Sequence, residues 1–182
     1  PRGFFDQIYG TEKLCIVRSI TGTPASGSVE AAQGIQYWSG KDAYVVLAAG
    51  EPLEYAFFHE IFHVIDNKVL SDTRVYYYWH NLNPAGFDYY WDNDSYLTAD
   101  NSEYLQEESR AFIDGYSMCF PREDRARIME YACNPGNGDY FASEIMQKKL
   151  QTLCLGIREA FGLRNYDQPL LWEQYLSQPL TP

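Results

Sequence analysis

One stretch, residues 55 to 66, constrains this chain more than any other. It reads YAFFHEIFHVID and centres on His59, Glu60 and His63, which fit the pattern HExxH. On a helix, residues four apart lie on one face with Cβ atoms about 6 Å apart, so both imidazoles can reach one metal ion. Glu60 lies one step round that face, close enough to accept a proton from a metal-bound water. The pattern predicts a zinc site.

The flanking residues indicate that this helix is buried. They are apolar nearly all round it: Phe57, Phe58, Ile61, Phe62, Val64 and Ile65. A helix that is apolar on every side belongs to a core, where two imidazoles and a carboxylate are costly unless something binds them. The alternative is that the motif arises by chance and that both histidines are ordinary hydrogen-bonded core residues. The chain has only three histidines, however, and two of them fall at the required spacing.

Composition describes one globular domain, residues 1 to 182, with 46% hydrophobic and 21% charged residues. The net charge of -11 argues against nucleic acid and anionic membranes as partners. No apolar run approaches the roughly 20 residues of a membrane span, and no signal peptide is visible. The chain begins at Pro1 without Met, which is typical of a mature or trimmed form. The four cysteines form no CxxC pair, so they do not suggest a structural zinc site, and their spacing does not reveal any disulfide.

The N-terminal part is rich in strand patterns. We expect strands at Leu14 to Ile20, Ile35 to Trp38 and Ala43 to Ala48, with a Gly-rich loop over Thr21 to Gly34. Pro52 suits the first turn of the HExxH helix. This order of strand, turn and helix predicts that the strand Ala43 to Ala48 edges the cleft above the two histidines, where an extended substrate can pair with it.

Helices dominate the C-terminal part. We expect helices over Pro121 to Ala132 and Phe141 to Phe161, the second capped by Gly162, and a short helix around Trp172. The fold class is therefore α+β, with a small sheet packed on the HExxH helix and further C-terminal helices.

Residues 71 to 101 lie between these parts and are aromatic and loop-like. Such a loop is either a binding loop, in which case residues Tyr76 to Tyr96 line the cleft, or a packed excursion. His80 lies in it with no partner at helical spacing, so we interpret it as a loop residue rather than a ligand.

A catalytic zinc site takes three protein ligands and leaves one position for water. Because no suitable His or Cys is left, the third ligand should be a carboxylate, and Glu107, Glu108 and Glu123 are the candidates. Glu123 lies in the first turn of a well-marked helix, with Glu130 as its neighbour further along that helix. Glu107 and Glu108 lie in a less regular segment, so the choice stays open on these grounds.

Three motifs together resemble a known family. They are HEIFHVID, LNPAGFDY at 82 to 89, and GYSMCFPREDRARIMEYA at 115 to 132. The chain resembles the zinc-binding metallopeptidases of bacterial cell-surface lipoproteins, which are gluzincin-like and distantly related to the catalytic domain of anthrax lethal factor. The resemblance covers roughly residues 43 to 162. It implies a zincin-like fold with a small mixed sheet, Zn²⁺ as cofactor, and a secreted or lipid-anchored, extracytoplasmic protein.

The resemblance also implies roles for particular residues. The glutamate that opens an EDxA-type helix is the third ligand, which selects Glu123, and a tyrosine that steadies the oxyanion precedes it, which selects Tyr116. Asp66 matches a position that is often acidic, where it either orients a ligand imidazole or caps the helix. The chain departs from the fuller pattern EDxAE, because Arg127 stands in place of the second acid.

These features favour a zinc peptidase acting on peptides or proteins, with His59, His63 and Glu123 as ligands, Glu60 as general base and Tyr116 as oxyanion donor. Two alternatives stay open. One is a cell-surface module that binds peptides or glycans on a zincin scaffold. The other is a zinc hydrolase of a non-peptide substrate.

Overall fold

A computed structural model describes residues 3–8, 10–22, 30–50 and 53–180. Within these ranges the regular elements run in the order strands, then helices, as α+β folds do. The strands are β1 (Thr11–Val17), β2 (Ile20–Gly22), β3 (Glu30–Ala32), β4 (Gly34–Ser39) and β5 (Asp42–Ala48). The helices are α1 (Leu53–Asp72), α2 (Pro121–Cys133) and α3 (Glu144–Ala160), with short 3-10 turns between them.

The main sheet is small and mixed, as expected. Its order is β1-β5-β4, with β1 parallel and β4 antiparallel to the central strand β5. A tight turn at Gly40 and Lys41 joins β4 to β5, and Gly40 adopts the positive φ of 61° that such turns favour. β2 and β3 form a separate antiparallel pair.

The sequence located β4 and β5 well but misplaced β1. That strand begins at Thr11, because pairing with β5 extends it back to the partner of Asp42, and Ile20 belongs to β2. The expected loop from Thr21 to Gly34 is paired at both of its ends, and its centre, residues 23–29, lies outside the described residues. The prediction for Pro52 also falls outside them.

One prediction about the sheet is wrong. The strand Ala43 to Ala48 does not edge the cleft, because β5 is the central strand and the hairpin puts β4 on the side of the histidines. Ala43, Val45 and Leu47 are buried at alternate positions of β5, and α1 contacts both β4 and β5. The helix-facing side of β5 is therefore core, and β4 forms the wall of the site.

The helices begin and end close to the expected residues. α2 starts at Pro121 and ends at Cys133, one residue past the expected end. α3 is shorter than expected, because the Ser143 side chain accepts a hydrogen bond from the Met146 backbone nitrogen at 3.1 Å and caps the helix there. Gly162 has φ 62° after its C-terminus. The last expected helix is a single 3-10 turn, Leu171–Glu173.

The aromatic segment is a packed excursion, and the expectation that it lines the cleft is wrong. Tyr76, Trp79 and Tyr89 are buried in the core. Trp79 Nε1 and Tyr89 Oη donate to Asp124 Oδ2 at 3.0 and 2.7 Å, which ties the segment to α2. These buried polar tips find partners on α2 and not in the cleft, which explains the placement.

Two further findings bear on the chain as a whole. All four cysteines are free thiols, and Cys154 is fully buried as a small core residue. Among the described residues, no helix is both long enough and apolar enough to cross a membrane.

Candidate metal centre

Two packed helices build the candidate site. α1 carries His59, Glu60 and His63 in its middle, and α2 carries Glu123 in its first turn. Phe120 is extended, with φ -148° and ψ 151°, and Pro121 follows as the first helical residue. This start fixes where the first turn of α2 begins, and the contact between α1 and α2 brings that turn to the histidines.

Three potential ligand atoms converge. His59 Nε2 lies 3.1 Å from Glu123 Oε2 and 3.2 Å from His63 Nε2. His63 Nε2 lies 3.5 Å from Glu123 Oε2. The three residues form a group whose donor atoms all lie within 4.8 Å of one another. This group could hold a metal ion.

The other candidates lie elsewhere. Glu107 and Glu108 are exposed on a 3-10 turn and are not part of the group. His80 is exposed too, at the end of the aromatic 3-10 segment, as the sequence suggested. Of the three carboxylates left open by sequence reasoning, the fold brings only Glu123 to the histidines.

The group attracts positive charge. Burial lowers the pKa of His59, but hydrogen bonds to Glu123 and Glu130 more than offset this and raise the pKa to about 9. Burial raises the pKa of Glu123, and hydrogen bonds from both imidazoles outweigh it, so the net pKa of this carboxyl is far below its usual range. Carboxylate and imidazole in mutual contact stabilise a cation at this place.

Glu60 lies beside the group and against the sheet. Burial raises the pKa of its carboxyl above the ordinary value, although the two imidazoles oppose the shift, and a raised pKa makes the carboxylate a better proton acceptor. A Cβ atom added at Gly34 would lie 2.6 Å from Glu60 Cγ, too close for any real contact. Only glycine therefore lets β4 approach the general-base candidate this closely.

The site opens into a cleft of about 440 Å³. Its walls come from β4, α1, Tyr116 and the start of α2: Gly34, Ile35, Gln36, Trp38, His59, Glu60, His63, Asp66, Asn67, Leu70, Tyr116, Arg122 and Glu123.

Tyr116 is half-buried, with its ring centroid 6.4 Å from that of His59. Burial raises the pKa of its phenol, which keeps the hydroxyl a hydrogen-bond donor. From the aromatic segment, Tyr96 comes near through its ring contact with Tyr116.

Asp66 plays neither role that was expected. It lies inside α1, six positions before Asp72 ends the helix, so it does not cap it. Its carboxylate accepts from Arg125 Nε and Nη2, both at 2.9 Å, in a buried fork that joins α1 to α2. The ion pair fixes how the two helices meet, and it was invisible to sequence reasoning because the partners lie 59 residues apart.

Glu130 is the residue whose role sequence reasoning missed. Its Oε2 lies 3.0 Å from His59 Nδ1, the imidazole nitrogen that faces away from Glu123. A ligand imidazole is commonly oriented by such a carboxylate. The available signal was helical spacing, because Glu130 lies seven residues, about two turns, after Glu123 and thus on the same face. Arg122 Nε donates to Glu123 Oε1 at 3.0 Å and engages the other carboxylate oxygen.

Comparisons with known proteins add no assignment. No family model, curated protein or solved structure matches the chain. The resemblance to zinc metallopeptidases therefore stays an expectation based on the three motifs. The geometry of His59, His63 and Glu123 is what identifies the candidate metal centre.

Proposed function

We propose that this protein is a zinc-dependent peptidase. The observation that supports it most is the convergence of two imidazole nitrogens and one carboxylate oxygen at 3.1, 3.2 and 3.5 Å. Tetrahedral zinc with bonds of about 2.0–2.1 Å holds neighbouring donors roughly 3.3 Å apart, so the donor set fits this ion. His59, His63 and Glu123 would hold it, and all three line the cleft.

Bound zinc would lower the pKa of a coordinated water to about 7 and polarise a carbonyl oxygen. Glu60 accepts the proton of the attacking water and passes it to the leaving amine. Its raised pKa and its place beside the histidines suit both steps. Tyr116 donates its hydroxyl proton in a hydrogen bond to the developing oxyanion.

A peptide is the substrate that the cleft favours. β4 is the last strand in the sheet order, and among the described residues its outer edge has no strand partner. Gly34, Gln36 and Trp38 of this strand line the cleft opposite the histidines. An extended peptide can add to such an edge through main-chain hydrogen bonds, which fixes its scissile bond beside the site.

Glu60→Gln tests the proposal, because it removes the base and keeps the shape. We expect zinc content to stay unchanged and kcat/KM on a quenched-fluorescent peptide library to fall by at least about 100-fold. Glu54→Gln is the matched control, since Glu54 is exposed on the same helix and should leave turnover unchanged.

Two results would contradict the proposal. One is a Glu60→Gln variant that cleaves peptides as fast as the parent. The other is a zinc-loaded parent that binds peptides but cleaves none, which would identify a binding module instead.

A further inference from the structure

Arg127 contacts three side chains in and around the site, those of Glu130, Asp114 and Tyr116. Its Nη1 donates to both carboxylate oxygens of Glu130, at 2.9 and 2.8 Å. Its Nε lies 3.3 Å from Asp114 Oδ2, an ion contact without the alignment of a hydrogen bond. Its guanidinium carbon lies 5.3 Å from the centroid of the Tyr116 ring. One side chain thus contacts groups on α2 and on the segment that precedes it.

The contact with Glu130 acts on the metal centre. Glu130 Oε2, which accepts from Arg127, also lies 3.0 Å from His59 Nδ1. When Nδ1 donates its proton to that carboxylate, the lone pair of Nε2 is left for a metal ion and the ring plane is fixed. Arg127 holds both oxygens of Glu130, so it keeps the carboxylate from rotating away from His59.

The other two contacts act on Tyr116. The guanidinium lies over the phenol ring, where the ring quadrupole attracts a cation. Asp114 Oδ1 accepts from the Ser117 backbone nitrogen and from Ser117 Oγ, both at 2.9 Å, and so closes the 3-10 turn Tyr116–Met118. Arg127 therefore holds Tyr116 directly through its ring and indirectly through the residue that closes its turn.

We propose that Arg127 is a positioning residue that sets the orientation of His59 and the place of Tyr116 together. The inference rests on the proposed function for the meaning of the two groups it positions, and its test needs no turnover.

The competing explanation is that Arg127 only stabilises the fold, as any half-buried ion pair does. Arg158 provides the matched control. It forms a buried fork with Glu173, from Nε at 2.6 Å and Nη2 at 2.9 Å, and it does not line the cleft. A general effect of removing a buried arginine appears equally at both positions, whereas a positioning effect appears at Arg127 alone.

The test combines two readouts in Arg127→Met, Arg127→Lys and Arg158→Met. Zinc affinity is measured by competition with a chromophoric chelator. The place of Tyr116 is measured by ¹⁹F NMR with Tyr116→3-fluorotyrosine in each background, in metal-free and zinc-loaded protein. We expect Arg127→Met to lower zinc affinity about tenfold or more and to shift or broaden the fluorine resonance. Arg158→Met should leave both readouts at the values of the parent.

Two conservative variants separate the effect of Arg127 on His59, through Glu130, from its effect on Tyr116. Arg127→Lys keeps one charged nitrogen, which can pair with Glu130 but cannot also reach Asp114, so it should retain part of the zinc affinity without retaining the fluorine resonance. Glu130→Gln should lower zinc affinity and leave the fluorine resonance in place. If Arg127→Met does not fold, these two variants carry the test.

The inference is overturned if zinc affinity in Arg127→Met stays within about twofold of the parent, below the usual effect of such partners. It is also overturned if Arg158→Met changes both readouts as much, or if Arg127→Lys changes neither. If the parent protein binds no zinc, that result contradicts the proposed function and not the role of Arg127. In that case the fluorine resonance of metal-free Arg127→Met still decides whether Arg127 holds Tyr116.

Discussion

His63→Ala is expected to abolish tight zinc binding. Among the described residues three donors converge, and the His63 imidazole supplies one of them, with its Nε2 3.2 Å from His59 Nε2, whereas alanine supplies none. Affinity should fall by at least about 100-fold, beyond the 10–100-fold typical of residues that merely orient a ligand. Competition with a chromophoric chelator measures the change.

His80→Ala is the control for this experiment. His80 is exposed and lies outside the group, so its removal should leave zinc affinity as in the parent. Equal zinc affinity in His63→Ala and the parent would show that this histidine is not a ligand. A loss in His80→Ala equal to that in His63→Ala would show that zinc binds through surface histidines.

The largest expected loss of stability follows Lys149→Met. Lys149 and Asp124 are both fully buried, and Lys149 Nζ donates to Asp124 Oδ2 at 2.8 Å and to the Ala111 carbonyl oxygen at 2.7 Å. Without the lysine, Asp124 is a buried carboxylate whose remaining hydrogen bonds among the described residues come from Tyr89 and Trp79, and its Oδ1 already has no partner among them. Removing one member of such a pair costs about 3–5 kcal/mol, which urea unfolding measures.

Lys148→Met is the matched control, one residue away. Lys148 is exposed and pairs with Glu144 at 2.6 Å on the surface of α3, so its removal should cost about 0–1 kcal/mol. Asp124 adjoins Glu123 at the start of α2, which makes the buried pair an anchor of the metal centre as well as of the core. Similar free energies of unfolding for the two variants would contradict this assignment.

The local part of the site was predictable from sequence. His59 and His63 share a face of α1 because of helix periodicity alone, and no tertiary contact is needed to bring them together. The start of α2 at Pro121 followed in the same local way. The α+β class followed from the order of strand and helix patterns along the chain.

What the sequence did not reveal depends on contacts between distant residues. The order β1-β5-β4 makes β4 and not β5 the wall of the cleft, and strand order is not encoded in the pattern of any one strand. Trp79 and Tyr89 turn into the core because Asp124 and Lys149 form a buried polar group there. The fork between Asp66 and Arg125 depends on how α1 and α2 pack.

The third ligand decides whether His59, His63 and Glu123 form one zinc site. The measurement is zinc affinity in Glu123→Ala beside Glu107→Ala and Glu108→Ala. We predict a fall of at least about 100-fold in Glu123→Ala alone, again more than an orienting residue gives. Parent-like affinity in Glu123→Ala, with a tenfold or larger loss in Glu107→Ala or Glu108→Ala, would contradict the site.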